Sequence, residues 1–245
     1  MRYREIEPNG FLNNFVKCFW YYETTDTEIQ HTILPDGYFD LIAEFENETL
    51  TTVKLTGIWT KPKDIQIPNN TKFFAIRFKL IAIEYIFQKE IKSILDSIVN
   101  LPFSFWSIDK YKSNEFEKFV SEITSNLDTS IKHLKQIDSR KLKLFDSVYE
   151  QKTKTVAEIS STVFWSSRQI NRYFQTQFGI TLKEFLNIVR CNATYEEISN
   201  GNLNPNSDYF DQAHFIKEIR KYTGATPKVL NQNKNDRFLQ LSKMD

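Results

Sequence analysis

Residues 155–179 read TVAEISSTVFWSSRQINRYFQTQFG, and this stretch carries the helix signals from which the C-terminal part of the chain can be interpreted. Thr155 and Glu158 have the spacing of a capping box, in which each side chain bonds the backbone of the other residue at a helix start. Ser166 is a suitable N-cap for a second helix, and Gly179 lies where a left-handed residue would end that helix. A short helix, a brief turn and a second helix predict a helix-turn-helix.

The second of these helices divides into an apolar and a polar face. At about 100° per residue, Ile170, Tyr173 and Phe174 share one side. The opposite face and the first helical residue supply the candidate DNA contacts Ser167, Arg168, Asn171, Arg172 and Gln175. In the major groove, Arg pairs with guanine, and Asn or Gln pairs with adenine. A polar face can also simply be solvated, but the absence of acidic residues between Ser166 and Gln177 favours DNA.

The residues that follow continue the pattern of helix starts and ends. Thr181 and Glu184 have the spacing of another capping box, which predicts a long helix. The polar residues 200–207 interrupt that helix. Asp211 can cap a further helix, and Gly224 is placed to end it.

Residues 155–230 resemble the DNA-binding domain of the AraC/XylS family of bacterial transcriptional regulators. The residues that carry the resemblance are Ser166, Ile170-Asn-Arg-Tyr-Phe174, Phe178-Gly179-Ile-Thr181, Phe185, Arg190 and Ala193, then Tyr209-Phe-Asp-Gln-Ala-His-Phe215, Lys217 and Gly224-Ala-Thr-Pro227. The N-terminal half is more loosely similar to the β-rich sensor domain of some of these regulators. That similarity rests on Pro35-Asp36-Gly37, Gly57 and Phe74-Ala-Ile-Arg-Phe78.

The resemblance implies two helix-turn-helix units, joined by the long helix, that bind successive major-groove segments of double-stranded DNA. It places Arg168, Asn171 and Arg172 at base or phosphate contacts of the first unit, and Gln212, Ala213 and Lys217 at the matching positions of the second. The segment between Arg190 and Tyr209 is shorter than the family pattern, and Asp208 stands where the family commonly has Gly. We therefore expect the second unit to contact mainly phosphate, which positions a protein without reading sequence.

The first 80 residues have the pattern of short β-strands. Apolar and aromatic runs predict strands at residues 15–22, 31–34, 38–45, 50–58 and 73–80. Helical periodicity follows at residues 82–89, 115–127 and 139–151. We predict an α+β protein with a small N-terminal β-barrel or sandwich carrying helices, followed by an all-α domain of two helix-turn-helix units joined by a long helix. Its parts are a β-rich sensor and dimerisation domain at residues 1–138, a helical linker at 139–154 and an AraC-type DNA-binding domain at 155–245.

Composition excludes several classes of protein. Of the 245 residues, 40% are hydrophobic, which is too many for a disordered chain, and the net charge of +1 gives no general attraction to polyanions. Cys18, Cys191 and three scattered histidines lack the spacing of a disulfide framework or a metal site. Because phosphate-loop and nucleophile motifs are also absent, we predict no catalytic residue, no metal, no cofactor and no enzyme activity. Without a leader or a membrane-spanning apolar run, we expect a cytoplasmic protein that does not enter membranes.

Two groups of N-terminal residues are candidates for binding. Aromatic candidates for lining a site for a small-molecule effector are Trp20, Tyr22, Phe39 and Trp59, although most such aromatics belong to a core. Glu44, Glu46 and Glu48 alternate on a predicted strand, which indicates a solvated face or, as the alternative, a site for a cation or polar ligand.

The predicted helix at 115–127 carries an apolar stripe. Its members are Phe116, Phe119, Val120 and Ile123. The stripe predicts either a homodimer interface or packing on the chain's own β domain.

Two functions remain open. The first is a sequence-specific DNA-binding transcription regulator, modulated by a small ligand or partner at the N-terminal domain, and the Arg168, Asn171 and Arg172 face favours it. The second is a ligand-binding or protein-interaction module with a degenerate DNA-binding domain. The low basic charge and the shortened second unit favour this alternative.

Overall fold

The N-terminal half of the chain is built on two antiparallel sheets. The computed structural model describes residues 2–134, 137–150, 155–204 and 209–233. Its strands are β1 (Arg2–Ile6), β2 (Val16–Glu23), β3 (Ile29–Ile33), β4 (Phe39–Glu46), β5 (Thr49–Thr56), β6 (Lys63–Ile67), β7 (Thr71–Phe78) and β8 (Ile98–Leu101). The larger sheet has the strand order β1-β2-β7-β4-β5-β8, and β3 pairs with β6 in the smaller one.

The small sheet covers one face of the large sheet. Ile67 of β6 packs in one buried cluster with Trp20 of β2 and Phe73 of β7. Across the same gap, the Tyr22 hydroxyl lies 3.0 Å from Nε2 of His31 on β3. The N-terminal half is therefore a small β-sandwich, one of the two architectures that the sequence predicts.

The other face of the large sheet carries the main core and is covered by a long helix. The helices are α1 (Ile81–Tyr85), α2 (Phe116–Lys132), α3 (Ser139–Tyr149), α4 (Val156–Val163), α5 (Ser167–Phe178), α6 (Leu182–Ala193), α7 (Tyr195–Ser199), α8 (Gln212–Thr223) and α9 (Pro227–Gln232), with 3-10 turns at Gly10–Asn14, Lys92–Ile94 and Phe105–Lys110. The apolar stripe of α2 packs on this sheet, because the Phe119 ring lies 6.4 Å from Phe19 and 5.6 Å from Phe74. Packing on the chain's own β domain is thus the outcome, and this stripe offers no surface for a homodimer.

One hydrophobic core extends from the sandwich into the helical half. Helix α3, inside the predicted linker, packs in this core, with the Phe145 ring 5.9 Å from Phe174 of α5. A backbone hydrogen bond links the two halves directly, since the Ile91 N–H donates to the Gln177 carbonyl at 2.9 Å. Helices α4 and α5, joined by a short turn, occupy the residues of the predicted first helix-turn-helix, and α6 leads towards α7 and α8.

Candidate nucleic-acid interface and ligand cavity

The first helix-turn-helix is fixed by local hydrogen bonds at both of its helix starts. Thr155 and Glu158 form the expected capping box of α4. Ser166 accepts from the N–H of Gln169, whose side chain bonds back to Ser166, so α5 also starts with a capping box. Gly179 ends α5 in the left-handed conformation, at φ 76°. These caps satisfy backbone groups that a helix leaves free at its ends, and they fix where α5 begins and stops.

Helix α5 turns its apolar face to the core and its polar face to solvent. Ile170 and Phe174 are fully buried, and the Tyr173 hydroxyl donates to Glu84 of α1 at 2.9 Å. Arg168 and Arg172 are exposed, and within the described residues neither forms an ion pair. Two long cationic side chains therefore stand free on the outer face of a well-anchored helix.

The remaining predicted contacts of α5 differ in their surroundings. Gln175 is exposed, while Ser167 and Asn171 are half-buried. The Oδ1 atom of Asn171 accepts from the backbone N–H of Leu182 at 3.1 Å, at the first residue of α6. Asn171 thus serves the junction of α5 and α6, which leaves its Nδ2 group and the second lone pair of Oδ1 for an outside partner.

The second predicted unit consists of the short helix α7 and the well-capped helix α8, which carries the predicted DNA contacts. Asp211 caps α8 by accepting from the N–H of His214 at 2.7 Å. Its three predicted DNA contacts, Gln212, Ala213 and Lys217, are all exposed. Helix α7, which precedes them, has five residues and follows α6 after a break at Thr194. Asp208 lies outside the described residues.

Sequence reasoning missed two exposed aromatic residues beside these helices. Phe164 is 83% exposed and Phe210 is 93% exposed. Phe164 precedes the N-cap of α5 by two residues, and Phe210 directly precedes that of α8. Both residues thus lie close to the start of a helix that carries predicted DNA contacts. The sequence signal was an aromatic residue in a turn, where polar residues are usual.

The sandwich encloses a cavity of about 490 Å³ between its two sheets. Three of the predicted lining residues, Trp20, Tyr22 and Trp59, do line it. Phe39 does not, because its ring stacks on Phe78 at 5.3 Å in the main core on the opposite face of the sheet. The volume falls in the range of small-molecule binding sites, roughly 300–1,000 Å³.

A charged cluster lies at one end of this cavity. Arg77 on β7 is register partner of Asp40 on β4, and its Nε donates to Asp40 Oδ1 at 3.2 Å. A second carboxylate, Asp36, lies 3.6 Å from the same guanidinium. Trp20 Nε1 also donates to Asp40 at 2.9 Å. Burial raises the pKa of Asp36 to about 6, whereas the carboxylates of Asp40 and Asp36 raise that of Arg77, so the guanidinium stays charged.

Glu44 lines the cavity as well, and the three alternating glutamates differ in their exposure. Glu44 is buried and accepts from Lys54 Nζ at 2.6 Å. Glu46 is half-buried at the end of β4, and Glu48 is exposed in the following turn. The solvated-face interpretation is therefore wrong for Glu44, because the small sheet covers this part of the large one.

A short loop connects the cavity with α6. Asp36 and Tyr38 line the cavity, and the Tyr195 hydroxyl donates to the Pro35 carbonyl at 2.9 Å. Gly37 adopts φ 84°, and a Cβ there would lie 3.0 Å from a methyl carbon of Val189. Residues 35–38 thus touch the cavity on one side and α6 with α7 on the other.

The cysteines and membrane propensity add little to this picture. Burial raises the pKa of both Cys18 and Cys191 to about 12, so neither thiol is ionised at neutral pH. In the described ranges, no group of three or more His, Cys, Asp or Glu residues is arranged to hold a metal ion. Nor does any helix in that part of the chain combine the length and apolar character that crossing a bilayer requires.

Comparison with known proteins gives one family match and several distant likenesses. Residues 4–100 match the family described as Domain of unknown function (DUF6597), which covers the sandwich and less than half of the chain. No curated protein matches the chain. Among solved structures, an apo ToxT variant from Vibrio cholerae is 10% identical, with 93% of this chain and 99% of that chain covered and a TM-score of 0.44.

Other ToxT structures show a similar degree of likeness. Unsaturated-fatty-acid-bound ToxT from Vibrio cholerae is 10% identical, with 92% of this chain and 97% of that chain covered and a TM-score of 0.43. A further ToxT structure from Vibrio cholerae is 13% identical over 86% of this chain and 95% of that chain, with a TM-score of 0.43. Likenesses at this level do not identify a function.

Proposed function

We propose that this chain is a sequence-specific DNA-binding transcription regulator of the AraC/XylS kind, and that a small ligand in the sandwich cavity modulates its DNA binding. The observation that carries the proposal is the outer face of α5. Arg168, Arg172 and Gln175 are exposed there, on a helix anchored by its capping box and by a buried apolar face. In the recognition helix of a helix-turn-helix, such a face enters the major groove.

The chemistry of this face fits base and phosphate contacts. Arg donates two parallel hydrogen bonds to guanine, and a guanidinium without an internal partner is free to do so. The twelve residues of α5 include no Asp or Glu, whose carboxylates would repel phosphate. In this proposal Arg168 and Arg172 supply the base and phosphate contacts of the first unit, with Ser167, Gln175 and the amide nitrogen of Asn171 beside them.

The second unit is proposed to bind phosphate rather than to read bases. Gln212, Ala213 and Lys217 face solvent on α8, but the supporting helix α7 has only five residues. Base reading requires a helix held at a fixed depth and angle in the groove, whereas a phosphate contact tolerates more variation. Lys217 carries this contact in the proposal.

The loop 35–38 provides a physical route from ligand to DNA. Asn192 of α6 lines the same cavity as Asp36 and Tyr38. A ligand that contacts these residues bears directly on the helix that joins the two helix-turn-helix units. In this proposal residues 1–138 are the sensor domain, residues 139–154 the linker and residues 155–245 the DNA-binding domain of a cytoplasmic protein without enzyme activity.

Two observations favour the alternative of a ligand-binding or protein-interaction module with a degenerate DNA-binding half. The side-chain oxygen of Asn171 already accepts a hydrogen bond from the N–H of Leu182, so it is partly committed inside the protein. The five-residue α7 gives the second unit a weak support. Direct measurement of DNA binding separates this alternative from the regulator.

Fluorescence anisotropy with two labelled duplexes, one from upstream of the protein's own gene and one scrambled, tests the proposal at low and moderate salt. Arg168→Ala and Arg172→Ala should each weaken binding. If the arginine contacts a base, its loss should remove roughly 1–3 kcal/mol of discrimination at one base pair. If it contacts a phosphate, its loss should reduce the slope of log binding constant against log salt concentration by about one. Arg2→Ala, at an exposed arginine of β1, is the matched control and should bind as wild type. Unchanged binding by both α5 variants, with wild-type melting, would favour the degenerate module.

A further inference from the structure

The cavity holds more negative than positive charge. Seven of its described lining residues are charged, namely the carboxylates Glu5, Asp36, Asp40 and Glu44 and the cations Lys17, Lys54 and Arg77. At the end near the loop 35–38, two carboxylates share the single guanidinium of Arg77. That end therefore has a surplus of one negative charge before the exposed Glu5 at the rim is considered.

The cavity's cations already have anionic partners. Lys54 bonds Glu44 at 2.6 Å, and Lys17 bonds Glu7 at 2.6 Å. A carboxylate ligand at Arg77 would be a third anion around one cation, in a site of reduced dielectric where like charges repel strongly. A cationic ligand would instead balance two carboxylates with two positive charges.

The walls of the same cavity are aromatic. Trp20, Tyr22, Trp59 and Phe73 line it and are all buried. The faces of aromatic rings attract ammonium ions, and the attraction is strongest where water is excluded. Trp20 is held in place by its hydrogen bond to Asp40, so a carboxylate is fixed at the edge of an aromatic ring that lines the cavity.

We propose that the sandwich cavity binds an organic ammonium ion with an aromatic body, with Asp36 and Asp40 as counter-ions and the indole and phenyl rings as walls. This inference rests on the proposed function, since it names the class of ligand that the regulator senses. The raised pKa of Asp36 agrees with it, because burial and the neighbouring Asp40 both disfavour a further negative charge. A bound cation would relieve that repulsion.

Isothermal titration calorimetry of the full-length protein with three matched probes tests the ligand class. Tryptamine carries an ammonium group at neutral pH, tryptophol replaces it with a neutral hydroxyl, and indole-3-acetate replaces it with a carboxylate. Tryptamine should bind at least about tenfold more tightly than tryptophol, and indole-3-acetate should bind most weakly. Because this comparison uses the wild-type protein, it does not depend on the folding of a variant.

Asp40→Asn extends the test to the residues. An Asn side chain can still accept from Trp20, so the variant removes charge and keeps shape; it should lose most of the preference for tryptamine over tryptophol. Asp109→Asn, at an exposed aspartate remote from the cavity lining, should keep the preference. Equal binding of tryptamine and tryptophol, tighter binding of indole-3-acetate, or no binding of any probe at millimolar concentration would overturn the inference.

A parallel measurement separates this inference from the proposed function. Anisotropy of the DNA duplex with and without saturating tryptamine reports on regulation. Selective tryptamine binding, whatever its effect on DNA affinity, supports the ligand class. DNA binding by a protein that does not prefer tryptamine would leave the regulator standing and refute the ligand class.

Discussion

Replacing Gly37 with alanine tests how the sandwich meets helix α6. Gly37 has φ 84°, and its Cβ position lies 3.0 Å from Val189 Cγ2 and 3.3 Å from Phe185 Cε2. A left-handed conformation costs a residue with a Cβ about 1–2 kcal/mol. Extra volume in a packed interface costs typically another 1–3 kcal/mol. Gly37→Ala should therefore lower the free energy of unfolding by roughly 2–5 kcal/mol.

Gly10→Ala is the matched control for the backbone contribution. Gly10 also has a left-handed φ, 67°, but a Cβ there meets no atom within 4 Å. Gly10→Ala should lower the free energy of unfolding by only about 1–2 kcal/mol. Both substitutions reduce the conformational freedom of the unfolded chain equally, so this effect cancels when the two variants are compared. The difference between the variants, about 1–3 kcal/mol, isolates the contact with α6.

Urea unfolding followed by circular dichroism gives both values, with the m-value as the check that each variant unfolds as the wild type does. A double variant, Gly37→Ala with Val189→Ala, sharpens the result. Removing the Val189 methyl groups makes room for the new Cβ, so the double variant should lose less stability than the sum of the single ones. Equal losses for Gly37→Ala and Gly10→Ala, together with additive losses in the double variant, would refute the close docking of residues 35–38 on α6.

Variants at three further positions test local features of the structure. Phe164 has a left-handed backbone conformation, with φ 55°, and its side chain is 83% exposed. Phe164→Gly should therefore raise the free energy of unfolding by about 0.5–1 kcal/mol, whereas Phe164→Ala keeps the backbone strain and should not raise it. Urea unfolding measures both variants. Asn171→Ala removes the hydrogen bond to the N–H of Leu182 and should lower the free energy of unfolding by about 1 kcal/mol. Asn171→Asp should keep that hydrogen bond and that stability, but its negative charge should lower the affinity for DNA. Urea unfolding measures the stability, and anisotropy measures the DNA affinity. The proton binds Asp36 more tightly in the folded than in the unfolded state, because its pKa is raised from 3.8 to about 6. Stability from this carboxyl should therefore fall as pH rises from about 4 to about 6, and a pH series of urea unfolding should show that Asp36→Asn removes this part of the slope.

The helix boundaries of the C-terminal half could be predicted because they depend on neighbours in sequence. The capping boxes at Thr155 and Thr181 involve a residue three positions on, and Gly179 ends α5 by its own backbone freedom. Such interactions are encoded within one turn of helix. The box at Ser166 has the same spacing but uses Gln169 in place of an acidic residue, and it was not predicted.

Three strands, β1, β6 and β8, are not predicted from the sequence, and they share a position away from the centre of the large sheet. β1 (Arg2–Ile6) and β8 (Ile98–Leu101) form the two edges of the large sheet, and β6 (Lys63–Ile67) belongs to a two-stranded one. β1 and β6 carry charged or polar side chains at most positions, so their composition resembles that of loops. β8 is largely apolar but has only four residues, which is too short to show alternation. The aromatic runs of β2, β4 and β7 lie in the centre of the sheet and were therefore visible in the sequence.

The cavity shows where alternation along a strand stops being informative. Alternation separates Trp20 and Tyr22 from Phe19 on β2, but the pattern is the same whichever face the second sheet covers. The aromatic character of Phe39 predicts a place in the cavity, yet its position on β4 turns it to the main core. Only the packing of β3 and β6 over the large sheet decides between the two faces.

The Arg77 cluster depends on contacts still further apart in sequence. Asp40 meets Arg77 because β4 and β7 pair in a register that places these residues opposite each other, and Asp36 reaches it from the preceding loop. On a single strand, an arginine between apolar residues predicts a solvated position. The small sheet instead encloses it, and a guanidinium held by two carboxylates then sets the charge of the cavity. The sign of that charge, which the three matched probes measure, is thus a property of the sheet pairing and not of any one segment.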